Sequence, residues 1–174
     1  IVADNSNKIG LVLAHENPGI DQFAEKVFSA SYELLRINNC IKKVDFFKKL
    51  FSEFKGRVYD LQTFMFLFHV TKVLGIHGNS FFLNNACASG QYGLEQANMM
   101  IKMGHCSAVI LATADSPDIY KYFWFKEAGL YSPDNLIRPF SGNANGLVFG
   151  EGAAAVMLES LESALARNAK IYAE

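Results

Sequence analysis

Cys87 is the side chain of this sequence best placed to act as a nucleophile. Residues 81–83 (FFL) form a bulky run typical of a short strand. The stretch after Cys87 has helical spacing up to Gly104, a residue suited to the left-handed position after a helix. A thiol between a strand and a helix start faces backbone N–H groups and the positive end of the helix dipole, and both favour the thiolate. The pattern therefore predicts a reactive thiol, although a cysteine at a strand end is more often a small apolar residue.

The histidines and the other cysteines give no second chemical centre. No histidine has a spacing that pairs it with Cys87, and no two have the spacing of a metal site, so we expect all of them to be structural or solvent-exposed. They are His15, His69, His77 and His105. Cys40 lies in a polar loop and Cys106 on the far side of the helix after Cys87, so Cys40 should react most readily by exposure alone. Three cysteines without a framework pattern indicate a reducing compartment.

Two more apolar runs indicate an α/β fold. Residues 9–14 (IGLVLA) and 108–112 (AVILA) are continuous apolar runs typical of buried strands. Strand, helix and strand in this order predict a mainly parallel sheet with helices on both faces. The helix after Cys87 has a stripe of small and apolar residues and few charges, which predicts close packing deep inside the domain. The stripe contains Gly90, Gly93, Leu94, Ala97 and Ile101.

Three further helices are expected before residue 80. The first covers residues 21–35, and the second, residues 44–54, has apolar residues on one face and lysines on the other. The third, residues 61–74, is capped by Asp60 and closed by Gly75. It is nearly all apolar, which places it in the interior or in a subunit interface. The lysines around the second helix predict a solvated face, with a docking patch for an acidic carrier protein as the alternative. They are Lys42, Lys43, Lys48 and Lys49.

The sequence after residue 113 predicts one more strand and one more helix. Residues 118–137 are aromatic and irregular. Residues 146–159 are expected to form a glycine-kinked strand that completes the sheet. A closing helix follows Ser160, which caps it, and ends near Ala166, with Asn168 in the left-handed position beyond it.

Composition places the chain among globular proteins. Its 174 residues, 51% hydrophobic and 19% charged, suffice for a single domain over residues 1–174. A net charge of −1 without a basic run argues against a nucleic-acid partner, and 15 Phe with 7 Tyr indicate a bulky core or a large buried interface. The longest strongly apolar run, residues 64–70, is too short for a membrane span. No signal peptide is visible, and the sequence starts at Ile1 without a methionine, so we expect a cytoplasmic protein whose true N-terminus is missing.

Several ordered segments resemble the β-ketoacyl-ACP synthases, which are condensing enzymes of the thiolase-like superfamily. Residues 85–90 (NACASG) resemble the nucleophile turn of that family, T-A-C-A/S-S/T-G. Residues 138–140 (RPF) and 146–153 (GLVFGEGA) resemble its R-P-F-D…D-G-F-V-x-G-E-G-A. The loop at 141–145 departs from this pattern, since it lacks the Asp after Pro-Phe and the Arg-Asp pair before Gly. Three later segments resemble the family's L-V-L-E, A-L-A-R-G and A-x-I-Y-A-E, namely residues 156–159, 164–166 and 169–174.

The resemblance implies a fold and a reaction. The fold is α/β, a thiolase-like layered αβα arrangement with a mainly parallel mixed sheet. Residues 1–174 would form most of the N-terminal half of this duplicated fold, without its first strand. Cys87 would take the acyl chain as a thioester, with its own backbone N–H as one oxyanion donor, for decarboxylative Claisen condensation with malonyl-ACP in fatty acid or polyketide synthesis. Phe125, in a segment similar to the family's F…A-L-S, would line the acyl chain or else be ordinary core. The histidines and lysine of such an enzyme lie in a C-terminal half, in segments like H-G-T-x-T, which this sequence lacks.

The resemblance also implies partners. No metal or cofactor is expected, because acyl groups would arrive on the phosphopantetheine of an acyl carrier protein. The strand over residues 81–85 would pair across a homodimer or heterodimer axis, and a second chain or segment would carry the C-terminal half. Two alternatives stay open: a non-catalytic ketosynthase-like subunit or remnant that binds an acyl chain or a partner, and a thiolase or other acyltransferase of the superfamily. An isolated half exposes faces that pack on the other half, so we expect the chain not to be a stable monomer.

Overall fold

The computed structural model describes residues 8–15, 20–38, 42–54, 62–116 and 119–174. These residues form two compact units. The first contains the sheet with α3, α4 and α6, and the second contains α1, α2, α5 and the segment that follows α5 up to residue 152. In chain order the elements are β1 (Ile9–His15), α1 (Ile20–Asn38), α2 (Lys43–Phe54), α3 (Thr63–Leu74), β2 (Ser80–Leu83), α4 (Ser89–Lys102), β3 (Ala108–Asp115), α5 (Ile119–Glu127), β4 (Gly152–Glu159) and α6 (Leu161–Ala166).

The four strands form one open sheet in the order β2-β1-β3-β4. β1 runs parallel to both of its neighbours, with Leu13 opposite Phe82 on one side and opposite Ala112 on the other. This central position explains the continuous apolar run in β1, because a strand covered on both faces has no side turned to water. The three predicted strands around residues 9–14, 81–83 and 108–112 are confirmed, and so is the mainly parallel sheet.

The side chains of β1 alternate between two apolar layers, one on each face of the sheet. Ile9 and Leu11 share a cluster with Leu67 of α3, whereas Val12 shares a cluster with Met100 of α4. Since successive side chains of a strand point to opposite faces, α3 and α4 lie on opposite sides of the sheet. The predicted layered arrangement is therefore confirmed.

Two glycines let these layers approach closely. A Cβ added at Gly93 of α4 would lie 2.5 Å from Leu111 Cδ1. A Cβ added at Gly10 of β1 would lie 2.6 Å from Met100 Cε and 2.8 Å from the carbonyl oxygen of Asn79. All three distances are shorter than van der Waals contact, so a side chain at either position would force its neighbours to shift, most of all at Gly10, where one neighbour is backbone. The predicted tight packing of the helix after Cys87 is confirmed at Gly93.

The prediction that α4 lies deep inside the domain is wrong for one of its faces. Its buried residues are Ser89, Gly93, Ala97 and Met100. Tyr92, Leu94 and Met99 are exposed instead. α3 likewise has no fully buried residue and meets the core only through Leu67 and Val70. Both helices are apolar on more than one face. Within the described residues, only the face toward the sheet is covered.

The helix ends follow the predicted signals. Gly75 and Gly104 come after α3 and α4 with φ of 65° and 73°, the left-handed conformation expected of them. Ser160 caps α6 through its side chain, and Asn168 follows that helix with φ of 53°. Asp60, the predicted cap of α3, lies outside the described residues. None of the helices that the structure describes combines the length and the apolar character needed to cross a membrane.

α1 and α2 pack against each other, and the face that α2 turns inward differs from the prediction. Lys49 Nζ lies 2.8 Å from Glu33 Oε2 of α1, and this hydrogen bond and charge lower the pKa of Glu33. Phe46 and Leu50 are half-buried on the same side. Phe47 is exposed. The helix is confirmed, but the predicted separation of an apolar inner face from a lysine outer face is wrong, because α1 offers a carboxylate to Lys49.

α5 is a helix in a region that the sequence predicted to be irregular. Aromatic and apolar residues fill every position of residues 119–125 except Lys121, so the sequence shows no helical period. Aromatic residues also have only moderate helix propensity. The rings of this helix contact rings that lie outside it in the sequence, and such contacts cannot be read from the local residue pattern.

β4 begins later than predicted. Residues 146–151 are irregular, and Gly146 has φ of 139°, where an added Cβ would lie 2.7 Å from the backbone nitrogen of Ser132. Ser132 N–H donates to the Leu147 carbonyl oxygen (2.8 Å), and Leu147 N–H donates to the Leu130 carbonyl oxygen (3.0 Å). These bonds tie the segment to the residues after α5, so the strand starts only at Gly152. The position of β4 as a sheet strand is confirmed.

Candidate active site at the turn before α4

The turn between β2 and α4 lies at the carboxyl edge of the parallel strands. Leu83, the last residue of β2, is opposite Ala14, and His15 at the end of β1 is opposite Ala114 of β3. In parallel α/β sheets this edge is where ligand sites form. Cys87 lies in this turn and is exposed. The structure therefore places the predicted nucleophile at the edge where chemistry is expected.

The backbone just before Cys87 is held in a strained conformation. Ala86 has φ of 50°, in the left-handed region that residues other than glycine rarely adopt. Its N–H donates to Asn84 Oδ1 at 3.1 Å. Strained residues persist only where their surroundings hold them, and they concentrate at functional sites. The strain is thus a second feature, beside exposure, that marks this turn.

Ser89 closes the turn from the first position of α4. Its Oγ accepts a hydrogen bond from Asn85 N–H (2.8 Å) and donates one to the Ala86 carbonyl oxygen (2.6 Å). The side chain is buried, and these two bonds satisfy its hydroxyl. This role was not predicted. The available signal was a hydroxyl residue at a helix start, where serine commonly bonds to nearby backbone.

The N–H groups that follow Cys87 do not point at its sulfur as predicted. Ala88 N–H donates to the Asn85 carbonyl oxygen (3.2 Å), and Ser89 N–H donates to the Ala86 carbonyl oxygen (3.0 Å). Both donors are used within the turn, so the prediction is wrong for these two groups. What α4 offers Cys87 is the positive end of its dipole.

The histidines do not form a catalytic group in the described structure. His69, His77 and His105 are exposed. His15 lies edge-on to Phe66, with ring centroids 5.5 Å apart. These positions agree with the prediction of structural or solvent-exposed histidines. Over the described ranges, no cluster of three or more His, Cys, Asp or Glu side chains is placed to hold a metal.

Cys106 is a buried thiol, whereas Cys87 is exposed. Cys106 lies in the layer between the sheet and α4. Burial raises the pKa of the Cys106 thiol, so it stays protonated at neutral pH. Cys106 is therefore an internal control for any thiol experiment. Cys40, the other control, lies outside the described residues.

Phe125 belongs to an aromatic cluster in the second unit. Its ring meets that of Phe149 edge to face, with centroids 5.1 Å apart. Phe149 lies 6.1 Å from Tyr131, and Tyr131 lies 5.0 Å from Tyr122. Phe125 is half-buried among these rings. Its predicted contact with an acyl chain stays a prediction.

A charged cluster braces the segment between α5 and β4. Arg138 Nη2 lies 2.7 Å from Asp134 Oδ2, and Arg138 Nη1 donates to Asn145 Oδ1 (3.0 Å). Ser132 Oγ donates to Asp134 Oδ1 (2.7 Å). Hydrogen bonds from Arg138 and Ser132 hold the pKa of Asp134 well below its usual range. The loop at 141–145 lacks the charges of the family pattern, yet Asp134 supplies bracing that the sequence did not single out.

A cavity of about 340 Å³ opens at the opposite edge of the sheet, beside Ile9 and Ala108. An ion pair between Arg167 and Glu159 lies in its wall, and the hydrogen bond from Arg167 lowers the pKa of Glu159. Because Ile9 and Ala108 begin β1 and β3, this cavity lies at the amino ends of the strands. It is therefore separate from the Cys87 turn.

A mainly parallel sheet between two helical layers, with an exposed cysteine in a strained turn at its carboxyl edge, defines a layered α/β protein. The model of the β-ketoacyl synthase N-terminal domain matches residues 49–164. The chain belongs to the β-ketoacyl synthase family, as the resemblance predicted.

Several relatives support this membership. Nodulation protein E of Rhizobium leguminosarum bv. trifolii is 35% identical over 106 residues, which cover 61% of this chain and 26% of that protein. A putative mitochondrial 3-oxoacyl-[acyl-carrier-protein] synthase of Schizosaccharomyces pombe is 40% identical over 96 residues, covering 51% of this chain and 22% of that protein. A highly reducing polyketide synthase of Hypocrea virens is 36% identical over 107 residues, covering 60% of this chain and 4% of that protein. The chain thus spans about a quarter of nodulation protein E and less of the polyketide synthase.

Solved structures agree on the fold. A β-ketoacyl synthase of Burkholderia phymatum superposes with a TM-score of 0.68 at 20% identity, over 95% of this chain and 38% of that one. The ketosynthase from module 6 of the bacillaene synthase of Bacillus subtilis superposes with a TM-score of 0.62 at 21% identity, over 97% of this chain and 24% of that one. The predicted thiolase-like fold class is confirmed.

Proposed function

We propose that this chain carries the acyl-accepting thiol of a β-ketoacyl synthase, with Cys87 as the nucleophile. One observation carries the proposal: Cys87 is exposed at the carboxyl edge of the parallel strands, in a turn strained at Ala86 and closed by Ser89. The synthases among the relatives support the reaction class. The alternative, a non-catalytic ketosynthase-like subunit, predicts no such reactivity at Cys87.

The chemistry proposed for Cys87 is acyl transfer followed by condensation. Its thiolate attacks the carbonyl carbon of an acyl thioester, and the carrier thiolate leaves when the tetrahedral intermediate collapses. The backbone N–H of Cys87 is proposed as one donor to the oxyanion. Malonyl-ACP then loses carbon dioxide, and the resulting carbanion attacks the acyl-Cys87 carbonyl, which gives 3-oxoacyl-ACP and releases the Cys87 thiolate. Phe125 is proposed to line the acyl chain.

The condensation step needs catalytic histidines other than the four of this chain. The resemblance assigns decarboxylation to histidines of a C-terminal half, which a second segment or chain would supply. β2 is an edge strand of the sheet, which suits the proposed pairing across a homodimer or heterodimer axis. An acyl carrier protein is the proposed donor, with no metal or cofactor, and the cytoplasm the proposed location.

The first test is intact-mass labelling with an acyl thioester, and separately with an α,β-epoxy-ketone inhibitor of condensing enzymes. We expect a single adduct on the wild-type chain, because Cys106 is buried and both reagents should require the activated thiol proposed for Cys87 rather than the mere exposure expected of Cys40. Cys87→Ala should abolish this adduct, whereas Cys106→Ala and Cys40→Ala should retain it. Peptide mapping of the adduct would locate the modified sulfur.

Two outcomes would overturn the proposal. Labelling that persists in Cys87→Ala and disappears in Cys40→Ala would show reactivity by exposure alone. A folded wild-type chain that takes up neither reagent would indicate the non-catalytic subunit instead. Far-UV circular dichroism of each variant separates loss of reactivity from loss of fold.

A further inference from the structure

Asn145 and Gly146 form the single Asn-Gly pair of the sequence, in the segment between α5 and β4. The side-chain amide of an asparagine can be attacked by the backbone nitrogen of the next residue. Glycine in that place leaves the approach open, because it carries no Cβ. Both residues are exposed, so water reaches the pair. The dipeptide therefore has the residue types for an intramolecular loss of ammonia.

The nitrogen of Gly146 is available for this attack. Over the described ranges, no acceptor takes a hydrogen bond from the Gly146 N–H. Two other exposed asparagines differ in this respect. The N–H that follows Asn143 donates to a carbonyl oxygen at 3.1 Å, and the N–H that follows Asn168 donates to another at 2.8 Å. These bonds must open before either nitrogen can turn to a side chain, so Asn145 is the favoured position of the three.

Arg138 holds the other reacting group, which is the side-chain carbonyl of Asn145. Arg138 Nη1 donates to Asn145 Oδ1 at 3.0 Å, and Ser132 Oγ lies 3.3 Å from the same oxygen. Attack on the carbonyl carbon would place negative charge on Oδ1, and a fixed cationic donor at that oxygen stabilises such charge. Arg138 is itself fixed by Asp134, at 2.7 Å. The amide is therefore polarised toward Oδ1, with Nδ2 as the leaving group.

We propose that Asn145 is a self-modification site, at which the Gly146 nitrogen attacks Cγ of Asn145 with Arg138 as the donor to the developing oxyanion. The new N–Cγ bond closes a five-membered succinimide, the Cγ–Nδ2 bond breaks, and ammonia leaves with the proton of the Gly146 N–H. Water then opens the ring at Cγ to give aspartate, or at the backbone carbonyl to give isoaspartate. Both reacting groups belong to one dipeptide and the co-reactant is water, so the proposal depends neither on a further chain nor on Cys87 chemistry.

The two products differ in their effect on this segment. Aspartate keeps the backbone and gives Arg138 a second carboxylate. Isoaspartate adds a methylene to the backbone just before Gly146, where an added Cβ would already lie 2.7 Å from Ser132 N and 2.9 Å from the Leu130 carbonyl oxygen. Isoaspartate should therefore disrupt the backbone hydrogen bonds that tie this segment to the residues after α5.

Incubation of the full chain at mildly basic pH, followed by peptide mapping, tests the site. Residue 145 should gain about 1 Da with time, because an amide nitrogen is replaced by an oxygen, and an isoaspartyl methyltransferase should label the product. Residues 143 and 168 should keep their mass. Asn145→Gln should abolish the gain, since a longer side chain does not close the five-membered ring. Asn143→Gln is the matched control and should leave the gain at residue 145 unchanged.

Arg138→Gln tests the donor. It should slow the conversion of the folded chain at least about threefold, because the charge-assisted hydrogen bond to the oxyanion is lost. In guanidinium chloride, where the fold is lost, the variant and the wild type should convert at the same rate. The folded wild type should convert faster than the same chain in guanidinium chloride, a comparison that needs no variant.

Two sets of outcomes would overturn the proposal. Absence of conversion at residue 145, or equal conversion at residue 143, would show that this dipeptide is not a modification site. Unchanged or faster conversion in folded Arg138→Gln, or a folded wild type slower than the denatured chain, would show that Arg138 is not a donor to the oxyanion. Far-UV circular dichroism of each variant establishes that it is folded.

Discussion

Cys87 takes its position from the backbone around it rather than from contacts of its own side chain. Ala86 is held at positive φ. The Ser89 hydroxyl bonds both to the Asn85 N–H and to the Ala86 carbonyl oxygen. A single buried hydroxyl therefore keeps both the strained residue and the thiol in place. Removal of that hydroxyl should destabilise the turn although it removes only one atom, because two backbone groups lose a hydrogen-bond partner.

Ser89→Ala is expected to destabilise the chain by about 1–3 kcal/mol, since the Asn85 N–H and the Ala86 carbonyl each lose a hydrogen bond in a buried site. Urea unfolding followed by circular dichroism measures this. Acyl-thioester labelling of Cys87 should also slow, because the turn relaxes. The matched control is Ser107→Ala, whose hydroxyl bonds an exposed carbonyl at 3.2 Å and whose loss should cost far less. Equal stability and labelling in Ser89→Ala and the wild type would show that the hydroxyl does not hold the turn.

At the scale of elements, the contact of β1 with α4 depends on the absence of a side chain. The space beside Gly10 is filled by Met100, Cys106 and the backbone of Asn79, and only the first two can move as side chains. The layers therefore cannot separate locally to admit even one methyl group without shifting the strand end.

Gly10→Ala should destabilise the chain by about 1–3 kcal/mol through this overcrowding, because the new Cβ would lie 2.6–2.8 Å from three atoms. The expected signature is a lower urea midpoint with an unchanged slope. Gly142→Ala is the control, since nothing lies within 4 Å of a Cβ there and its φ is not positive, so its midpoint should be nearly that of the wild type. A Gly10→Ala variant as stable as Gly142→Ala would mean that the sheet and α4 are not closely packed.

The sequence predicts those elements that depend on neighbouring residues. It fails for those that depend on a contact with another element of the fold. Continuous apolar runs predicted β1 and β3, and the glycine after α3 predicted its end, because strand burial and helix termination depend on a few neighbouring residues. The inward face of α2 depended on a carboxylate of α1, and the helix at α5 on ring contacts with the segment that follows it. The bond from Ser89 to the Ala86 carbonyl is local by contrast, and a serine at a helix start was the signal that could have predicted it.

At the scale of the whole molecule, the described residues leave much apolar surface uncovered. The outer faces of α3 and α4 are exposed, β2 is an edge strand, and several rings of the second unit face outward. The chain also spans only about a quarter of nodulation protein E. Exposed apolar faces and an unpaired strand edge both promote association, the first through burial and the second through backbone hydrogen bonds.

The isolated chain is therefore expected to associate, with sedimentation velocity showing a weight-average mass that rises with concentration. Phe81→Lys places a charge on the β2 edge, where Phe81 is already exposed, and should lower the association because lysine opposes edge-to-edge pairing. Phe140→Lys changes a ring of the second unit that is more exposed than Phe81 but is not part of the strand edge, and it should leave the association unchanged. A sharp monomer at every concentration, together with cooperative unfolding, would contradict the prediction and show that the described faces are stable in water. Association reduced equally by both variants would mean that exposed rings in general drive it, and that the β2 edge has no special part.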